Sequence, residues 1–536
     1  MVDTSYLPAR TDTAVRDLTA GDLLREAASA EPDQVALIAC APERPIRQWT
    51  YRELFTDATR AAQWLLTKFE PGEHIAVWAP NEAEWILLQY GAALAGVVLV
   101  TANPALRAGE LEYVLTQSES VGLAYSDSFR GTDMAAIAAE VLQRAPRIRH
   151  TIRLETWYEQ LQRFDGSDSS LPTVEPTSAA QVQFTSGTTG FPKGALLHHR
   201  GLVNAATYMV QRAQFPHRGV WATALPLFHT GGCAMSVLGT AAHQGTLVIC
   251  QLFDPALVLS AIEQHKADLY TGVPAMLRAL LAHPAFDTFD LSSVKVVLSG
   301  GDVMPAELVH EVEKKFQARM SVVYGQTELS PVITQTSPDD PPEDRCHTVG
   351  RPLPNVEISL RSPGGTEPVP VGQEGEICAR GYQAMLGYFG MPEQTRETID
   401  SDGWVHTGDL GVLDEHGRLR VTGRIKDMII RGGENIYPRE IETLIAQHPE
   451  VSGAVVVGIP DDQWGEIVAA IIEPADAAHP PSSRQLRELV RSRLAPAKTP
   501  RDWYLAGPKP TTATGKLQKF VLRDQVTNGT LKRLPN

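Results

Sequence analysis

Cysteine is scarce in this sequence, with five residues among 536. Their number is odd, they are widely separated, and no two are spaced as Cys-x-x-Cys, which argues against a disulfide framework and against a zinc site. We therefore predict buried, reduced thiols of the kind found in cytoplasmic proteins. The cysteines are Cys40, Cys233, Cys250, Cys346 and Cys378.

Basic residues are also fewer than acidic ones. Lysine and arginine together number 48, against 63 aspartate and glutamate residues, and the formal net charge is −15. Such an acidic surface argues against a nucleic-acid partner. It still leaves room for a local cationic site that binds a phosphorylated small molecule. The composition does not reveal the oligomeric state, and a homodimer is one alternative.

Long uninterrupted apolar runs are missing as well. The longest run, Trp85 to Ala102, contains Gln89 and Gly96, so we predict a buried helix followed by a buried strand at Val97 to Val100 rather than a membrane span. The first residues contain no apolar segment of a secretory signal, and the last ones no Ser-Lys-Leu peroxisomal address. We expect a cytoplasmic protein with no integral membrane segment.

The chain is too long for a single core, and its patterning changes along its length. Up to about residue 330, apolar strands such as Val35 to Cys40 alternate with helical stretches, which indicates largely parallel sheets with covering helices. Thr50 and Glu53 have the spacing of a capping box and predict a helix start. From about residue 340, prolines and glycine turns favour antiparallel sheet, and the last hundred residues indicate a compact α+β unit. We predict an α/β protein with domains at residues 1–424 and 427–536.

The stretch Gln183-Phe-Thr-Ser-Gly-Thr-Thr-Gly-Phe-Pro-Lys-Gly194 has a composition that packing does not explain. Glycines let backbone N–H groups turn toward an anion, hydroxyls add donors, and Lys193 adds positive charge. The spacing differs from a Walker A loop, because Lys193 is followed by glycine. The stretch predicts a polyphosphate-binding loop, and an ordinary surface turn is the alternative. Its candidate binding residues are Thr185, Ser186, Gly187, Thr188, Thr189, Gly190 and Lys193.

Other polar or glycine-rich runs follow in order along the chain. Each has an ordinary alternative when taken alone, such as a tight turn, a solvated charge or a hydrogen-bonded core histidine. They are Leu225-Pro-Leu-Phe-His-Thr-Gly231, Ser299-Gly-Gly-Asp302, Tyr324-Gly-Gln-Thr-Glu328, Trp404-Val-His-Thr-Gly-Asp-Leu410, Thr422-Gly-Arg-Ile-Lys-Asp427, Arg431-Gly-Gly-Glu-Asn435 and Gly507-Pro-Lys-Pro-Thr-Thr-Ala-Thr-Gly-Lys516.

Together these runs resemble the signatures of the adenylate-forming superfamily, which includes acyl-CoA synthetases, adenylation domains of peptide synthetases and beetle luciferases. The resemblance extends from about Leu23 to Phe520, and it is greatest to medium- or long-chain fatty acyl-CoA ligases. It implies a large N-terminal domain that includes a small barrel-like part, and a small mobile C-terminal lid with its hinge at residues 425–426.

The resemblance implies a nucleotide site. Tyr324 would lie against adenine, Thr327 would contact the α-phosphate and Glu328 would bind Mg²⁺. Asp409 would hold the ribose hydroxyls, a role that suits a carboxylate because it accepts two neighbouring O–H donors. Further nucleotide-binding positions are Gly301, Asp302, Gly325, Gln326 and Arg424.

The resemblance also implies where the acid and coenzyme A bind. His229 would lie near the carboxylate, and the presence of histidine rather than aspartate there disfavours an α-amino acid. Lys516 would lie between the carboxylate and the α-phosphate, so Lys516, Thr327 and His229 are the expected catalytic residues. Lys426 would be the hinge. The small residues Gly231, Gly232 and Cys233 would line the acyl pocket with His229, and Gly432 and Gly433 a tunnel for coenzyme A.

The expected activity is ATP-dependent formation of an acyl-AMP with release of pyrophosphate, followed by acyl transfer to coenzyme A. ATP, Mg²⁺ and coenzyme A are the expected cosubstrates and cofactor, and a fatty, medium-chain acid is the expected substrate. Three alternatives stay open at this point: a CoA ligase for an aryl or sterol-derived acid, a ligase that loads a carrier protein, and a catalytically silent nucleotide-binding protein.

Overall fold

The computed structural model describes residues 3–42, 45–165, 170–185, 192–432, 434–511 and 517–535. Within the chain, contacts define two compact units. The large unit consists of Leu7–Ile358 and Cys378–His406, and the small unit of Met1–Tyr6, Ser359–Ile377 and Thr407–Asn536. The predicted hinge at residues 425–426 falls inside the small unit, because residues 407–424 group with the C-terminal part of the chain. The hinge and the division at residues 1–424 and 427–536 stay predictions.

The α-helices of the described residues are α1 Ala20–Ala30, α2 Tyr51–Leu66, α3 Ala83–Ala95, α4 Ala108–Gln117, α5 Met134–Leu142, α6 Leu154–Arg163, α7 His199–Arg212, α8 Gly239–Ala242, α9 Pro255–His265, α10 Pro274–Leu281, α11 Ala306–Phe316, α12 Pro342–His347, α13 Pro392–Thr398, α14 Pro438–Ile445, α15 Ser483–Arg493 and α16 Lys519–Thr527. A π-helix spans Gly231–Leu238.

The β-strands of the described residues are β1 Tyr6–Leu7, β2 Val35–Cys40, β3 Arg47–Thr50, β4 His74–Trp78, β5 Val98–Ala102, β6 Gly122–Tyr125, β7 Ser128–Phe129, β8 Thr132–Asp133, β9 His150–Arg153, β10 Ala179–Thr185, β11 Lys193–His198, β12 Val220–Thr223, β13 Thr246–Cys250, β14 Leu269–Thr271, β15 Val296–Gly300, β16 Arg319–Tyr324, β17 Thr334–Gln335, β18 Arg351–Pro352, β19 Val356–Arg361, β20 Gly375–Gly381, β21 Gly387–Tyr388, β22 Val405–Leu413, β23 Leu419–Arg424, β24 Ile429–Arg431, β25 Glu434–Ile436, β26 Val451–Asp461, β27 Gly465–Pro474 and β28 Asp502–Leu505.

Two sheets of the large unit have parallel centres. One has the order β21-β11-β10-β5-β4-β6-β9 and the other β18-β17-β16-β15-β14-β12-β13-β2-β3. Strands β10, β5, β4, β6 and β9 pair in parallel, as do β16, β15, β14, β12, β13 and β2. Antiparallel strands occur at the edges. The largely parallel architecture predicted from the alternating pattern is confirmed.

The C-terminal part of the chain, from strand β19 onward, contains most of the predicted antiparallel and α+β structure. One five-stranded sheet contains β25, β24, β27 and β26 in this order, and its fifth strand, β28, pairs in parallel with β27. Helices α14 and α15 cover it with apolar side chains that include Ile441 and Leu486. A separate five-stranded sheet has the order β1-β19-β20-β22-β23, and its strands β22 and β23 are antiparallel.

Local sequence signals account for several element boundaries. The Thr50 side chain accepts a hydrogen bond from the backbone N–H of Glu53, and the Glu53 carboxylate accepts one in return, so helix α2 begins with the predicted capping box. Helix α3 is buried along its whole length and ends at Gly96, whose φ is +69°. Strand β5 follows directly, which confirms the predicted buried helix and strand between Trp85 and Ala102.

The cysteines are buried thiols, as the sequence predicts. All five are buried and free of disulfide bonds. None of the helices in the described ranges combines the length and the apolar character that crossing a bilayer requires.

Candidate functional site

The phosphate-loop stretch begins and ends on two paired strands. Strands β10 and β11 are antiparallel, and Thr185 lies opposite Lys193. The Thr185 hydroxyl donates to the Lys193 carbonyl oxygen at 3.4 Å. Five predicted phosphate-binding residues, namely Ser186, Gly187, Thr188, Thr189 and Gly190, lie outside the described residues, so their predicted role remains untested.

Two other predicted nucleotide segments leave the same edge of the nine-stranded sheet. Strands β15 and β16 are parallel, and Gly300 pairs with Val323. Gly301 and Asp302 follow the first strand, and Tyr324 ends the second, so both segments lie at the carboxyl edge where α/β proteins commonly bind ligands. Gly301 and Asp302 are exposed, and Tyr324 is half-buried.

The turn after Tyr324 can contain only glycine at its first position. A Cβ atom at Gly325 would lie 1.8 Å from the carbonyl oxygen of Pro331, which is far inside van der Waals contact. A 3₁₀ turn at Thr327–Leu329 follows Gln326. The side chains of Thr327 and Glu328 are half-buried, so they are accessible to a ligand.

Tyr388 connects the phosphate-loop stretch with this turn. Its hydroxyl donates to Glu328 Oε1 at 2.6 Å, and the ammonium group of Lys193 lies 4.8 Å from the centre of its ring. The backbone N–H of Met385 also donates to the Glu328 carbonyl oxygen at 2.9 Å. Lys193 and Glu328 are far apart in the chain, but both contact the Tyr388 side chain. Lys193 lies over its ring, and Glu328 accepts from its hydroxyl.

Burial and the neighbouring carboxylate keep the Tyr388 hydroxyl protonated. Tyr388 is only 8% exposed, and burial followed by the charge of Glu328 raises its pKa well above the ordinary value for tyrosine. A protonated hydroxyl is a donor, and Glu328 accepts from it. The hydrogen bond therefore has a fixed direction at neutral pH.

His229 lies in a loop that a buried asparagine holds in place. The Asn81 amide donates to the carbonyl oxygens of Leu225 and Cys250, both at 3.0 Å, and its oxygen accepts from the backbone N–H of Leu227 at 2.8 Å. His229 itself is half-buried, and its carbonyl oxygen accepts from the N–H groups of Gly232 and Cys233. This places the imidazole at the start of the π-helix.

The structure gives different reasons for the small residues of the predicted acyl pocket. A Cβ at Gly232 would lie 2.3 Å from the Pro226 carbonyl oxygen, so close backbone packing requires this glycine. The Cys233 thiol is enclosed, contacts Gln183 Nε2 at 3.1 Å, and has its pKa raised to about 12 by burial. Among the described residues, only Leu225 lies within 4 Å of a Cβ built at Gly231, at 3.4 Å, so this glycine has more open space than Gly232.

In the small unit, the two predicted ribose contacts lie together. Asp409 and Arg424 are opposite each other on strands β22 and β23, and Arg424 Nε lies 2.8 Å from Asp409 Oδ1. The backbone N–H of Asp409 donates to the Thr407 hydroxyl at 3.1 Å. Both residues were predicted to bind the nucleotide, but their contact with each other was not predicted.

The remaining predicted residues also belong to the small unit. Lys426 is exposed within a 3₁₀ turn at Ile425–Asp427. The backbone N–H of Gly432 donates to the carbonyl oxygen of Trp464 at 2.8 Å, and the Trp464 ring is 42% exposed. Gly433 and Lys516 lie outside the described residues.

Two residues that organise the site were not predicted from the sequence. Tyr388 and Asn81 each act on groups more than fifty positions away, and neither lies in one of the polar or glycine-rich runs. A signal was nevertheless present for Asn81, because it directly follows the buried strand β4 and the Ala79-Pro80 dipeptide at the carboxyl edge of a parallel sheet.

Two family models match this chain. The one described as AMP-binding enzyme matches residues 24–389, and the one described as AMP-binding enzyme C-terminal domain matches residues 440–516. The first match includes the predicted phosphate loop and the Tyr324–Glu328 run, and the second ends at Lys516. The two matches thus contain residues from both ends of the predicted signature series.

Relatives and solved structures extend the similarity over nearly the whole chain. The YngI protein of Bacillus subtilis (strain 168), provisionally named an acyl-CoA synthetase, is 37% identical over 95% of this chain and 97% of its own length. The mitochondrial medium-chain acyl-CoA ligase ACSF2 of Rattus norvegicus is 32% identical over 97% and 90%. The crystal structure of ATP-bound MatB from Rhodopseudomonas palustris is similar with a TM-score of 0.85 and 27% identity, over 95% of this chain and 99% of that one. The chain therefore belongs to the family of AMP-binding enzymes, in the acyl-CoA synthetase branch of the adenylate-forming superfamily.

Proposed function

We propose that this acyl-CoA synthetase activates a medium-chain fatty acid and transfers the acyl group to coenzyme A. The observation that carries the proposal is the Lys193–Tyr388–Glu328 arrangement, which connects the end of the phosphate-loop stretch with the glutamate expected to bind a metal. The chain length of the acid is supported by relatives that are named medium-chain acyl-CoA ligases and match 97% of the chain.

The first half-reaction joins the acid to AMP. A carboxylate oxygen attacks the α-phosphorus of ATP, the bond from that phosphorus to the bridging oxygen breaks, and pyrophosphate leaves with the electron pair. Two anions must approach each other, so fixed positive charge has to offset their repulsion. Lys193 and Lys516 are the proposed cationic groups, with backbone and hydroxyl donors at Thr185 and residues 186–190. Thr327 is the proposed contact of the α-phosphate.

The residues present fit a magnesium ion beside the phosphates. Glu328 is half-buried, and one of its oxygens accepts from Tyr388, while a carboxylate has a second oxygen that can serve as a hard ligand. We therefore propose Glu328 as the protein ligand of Mg²⁺. When bound, the ion would offset phosphate charge and stabilise the departing pyrophosphate.

The remaining nucleotide and acid contacts are assigned residue by residue. Tyr324, Gly325 and Gln326 are proposed against the adenine and α-phosphate, with Gly301 and Asp302 in the neighbouring loop. Asp409 and Arg424 are proposed to hold the ribose. His229 is proposed beside the carboxylate. Gly231, Gly232 and Cys233 stay in the proposed acyl pocket, and a Cβ built at Gly231 meets its neighbours less closely than one built at Gly232.

The second half-reaction transfers the acyl group from AMP to sulfur. The thiol of coenzyme A loses its proton and attacks the acyl carbon, and the carbon–oxygen bond to AMP breaks. No protein cysteine is needed, because coenzyme A brings the nucleophile, and all five protein thiols are buried. Gly432 and Gly433 are proposed to line the path of its pantetheine arm, and Lys426 is proposed as the hinge of a mobile lid. The buried free thiols also support our proposal of a cytoplasmic location.

Exchange of labelled pyrophosphate into ATP tests the first step directly. The purified protein is given ATP, Mg²⁺ and one acid at a time, from straight-chain acids of six to twelve carbons to aromatic and polycyclic acids. We expect exchange with the straight-chain acids and thioester formation once coenzyme A is added. No exchange with any of these straight-chain acids, but exchange with an aromatic or polycyclic one, would replace the proposed substrate class.

The same assay distinguishes a CoA ligase from a carrier-protein ligase and from a protein that only binds the nucleotide. Accumulation of acyl-AMP without thioester when coenzyme A is present would favour a ligase that loads a carrier protein. Binding of ATP without exchange for any acid in the library would favour a protein that binds the nucleotide and does not catalyse. Size-exclusion chromatography with light scattering decides between a monomer and a homodimer.

A further inference from the structure

We propose that Tyr388 is a positioning residue that sets the Glu328 carboxylate for its metal and holds the Lys193 ammonium at the end of the phosphate-loop stretch. This inference rests on the proposed function, because it assigns the two charged groups to the same ATP–metal complex. Tyr388 does so through two different parts of one side chain. Its hydroxyl reaches Glu328 Oε1 at 2.6 Å, and its ring centre lies 4.8 Å from the Lys193 ammonium.

Tyr388 is itself held firmly, as a positioning residue must be. Strand β21 pairs with β11, so Tyr388 lies opposite Ala195 on the strand that begins with Lys193. The backbone N–H of Tyr388 donates to the Thr395 hydroxyl at 2.9 Å, and that of Phe389 donates to the Gly194 carbonyl oxygen at 2.8 Å. The ring belongs to the buried core of the large unit. The strand pairing and the backbone hydrogen bonds therefore hold the main chain of Tyr388, and burial of the ring restricts rotation of its side chain.

The two contacts act on opposite charges. A hydrogen bond from a neutral donor fixes the rotamer of a carboxylate without competing as a cation, and groups that orient a metal ligand typically change metal affinity about 10- to 100-fold when removed. The face of an aromatic ring attracts an ammonium group at this distance. A lysine in place of Tyr388 would instead neutralise Glu328 and repel Lys193. A tyrosine can hold both groups while leaving their charges available to phosphate and metal.

The test measures how much Mg²⁺ improves the binding of ATP, in the absence of any acid. Calorimetric titration of ATP into the full-length protein is carried out with Mg²⁺ and, separately, with EDTA, and the ratio of the two affinities is the metal-dependent gain. For Tyr388→Phe, which removes only the hydroxyl, we expect this gain to fall about tenfold and the affinity in EDTA to stay unchanged. Tyr388→Leu also removes the ring and should additionally weaken ATP binding in EDTA.

A matched control removes an equivalent bond elsewhere. The Tyr158 hydroxyl donates to Asp57 Oδ2 at 3.0 Å and joins helices α6 and α2, neither of which carries a predicted site residue, so Tyr158→Phe should leave the metal-dependent gain at the wild-type value. Glu328→Gln should lose the gain, and adding Tyr388→Phe to it should cause no further loss, because Tyr388 acts through Glu328. Thermal unfolding of each variant confirms that the comparison is made on folded protein.

Two results would overturn the inference. One is a Tyr388→Phe protein with the wild-type metal-dependent gain. The other is a loss of ATP affinity that is equal with and without Mg²⁺, which would mean a general packing defect. Because no acid is present, the outcome does not depend on the acyl substrate: failure of every acid in the exchange assay would reject the proposed function, while a reduced gain in Tyr388→Phe would still support the positioning role.

Discussion

Arg424 Nε lies 2.8 Å from Asp409 Oδ1, and the two side chains differ sharply in exposure, at 39% for Arg424 and 7% for Asp409. The arginine thus holds a buried carboxylate from the solvent side. We expect Asp409→Asn to raise the ATP concentration for half-maximal pyrophosphate exchange at least about tenfold, because charged hydrogen bonds are worth about 1.5–3 kcal/mol. Asp414→Asn, in the exposed turn of the same hairpin, is the matched control, and an equal effect of both variants would contradict a ribose-binding role.

Gly325 should not tolerate a methyl group. In Gly325→Ala the new Cβ would meet the Pro331 carbonyl oxygen at 1.8 Å, so the turn carrying Thr327 and Glu328 must move. We expect a lowered thermal midpoint and loss of exchange activity in the protein that still folds. Gly109→Ala in helix α4, where no atom of the described part of the chain lies within 4 Å of the added Cβ, should be neutral or slightly stabilising. Normal activity of Gly325→Ala would show that the turn is more adaptable than its packing indicates.

Lys516 is predicted to serve only the adenylation step. We expect Lys516→Ala to abolish pyrophosphate exchange while largely preserving thioester formation from preformed acyl-AMP, since the lysine offsets the charge of ATP and carboxylate. Lys519→Ala is the control, because Lys519 lies three positions later and its ammonium is paired with Glu442 Oε1 at 2.7 Å. Equal damage to both half-reactions in Lys516→Ala would mean that its role is wrongly assigned.

Lys426 is predicted to act as the hinge. Proline fixes φ, so Lys426→Pro should spare adenylation and impair transfer to coenzyme A, which requires the rotation. Lys426→Ala keeps φ free and should retain both steps. The two half-reactions are measured separately, by pyrophosphate exchange and by thioester formation from added acyl-AMP. A hinge elsewhere in the chain would leave both steps intact in Lys426→Pro.

Buried His199 should make stability depend on pH. Burial lowers the pKa of His199 from 6.5 to about 4, so between these values the unfolded chain binds more protons than the folded one. The contribution of neutral His199 to stability is therefore fully present well above pH 6.5 and is lost as the pH falls toward 4, by up to about 1.4 kcal/mol per pH unit. We expect the thermal midpoint of His199→Asn to vary less over this window.

Much of the fold was predictable because its signals are local. The capping box at Thr50 and Glu53, the apolar run of strand β2 and the glycine that ends helix α3 each depend on neighbours within a few positions. The order of the motifs likewise identified the family. The packing reason for a small residue was not predictable: a Cβ at Gly232 would lie 2.3 Å from the Pro226 carbonyl oxygen, a contact between residues that no local pattern indicates. The role of Gly232 in the acyl pocket stays a prediction.

The alternation of strands and helices, the free thiols and the family of the chain could all be inferred from the residues alone, since periodicity, caps and motif spacing are properties of short segments. Which side chains lie together in the site became evident only from the folded chain. Tyr388 reaches Glu328 across 60 positions, and Asn81 reaches Leu227 across 146. Such contacts depend on how separate strands pair and which sheet edges come together, and no local pattern in the chain records that.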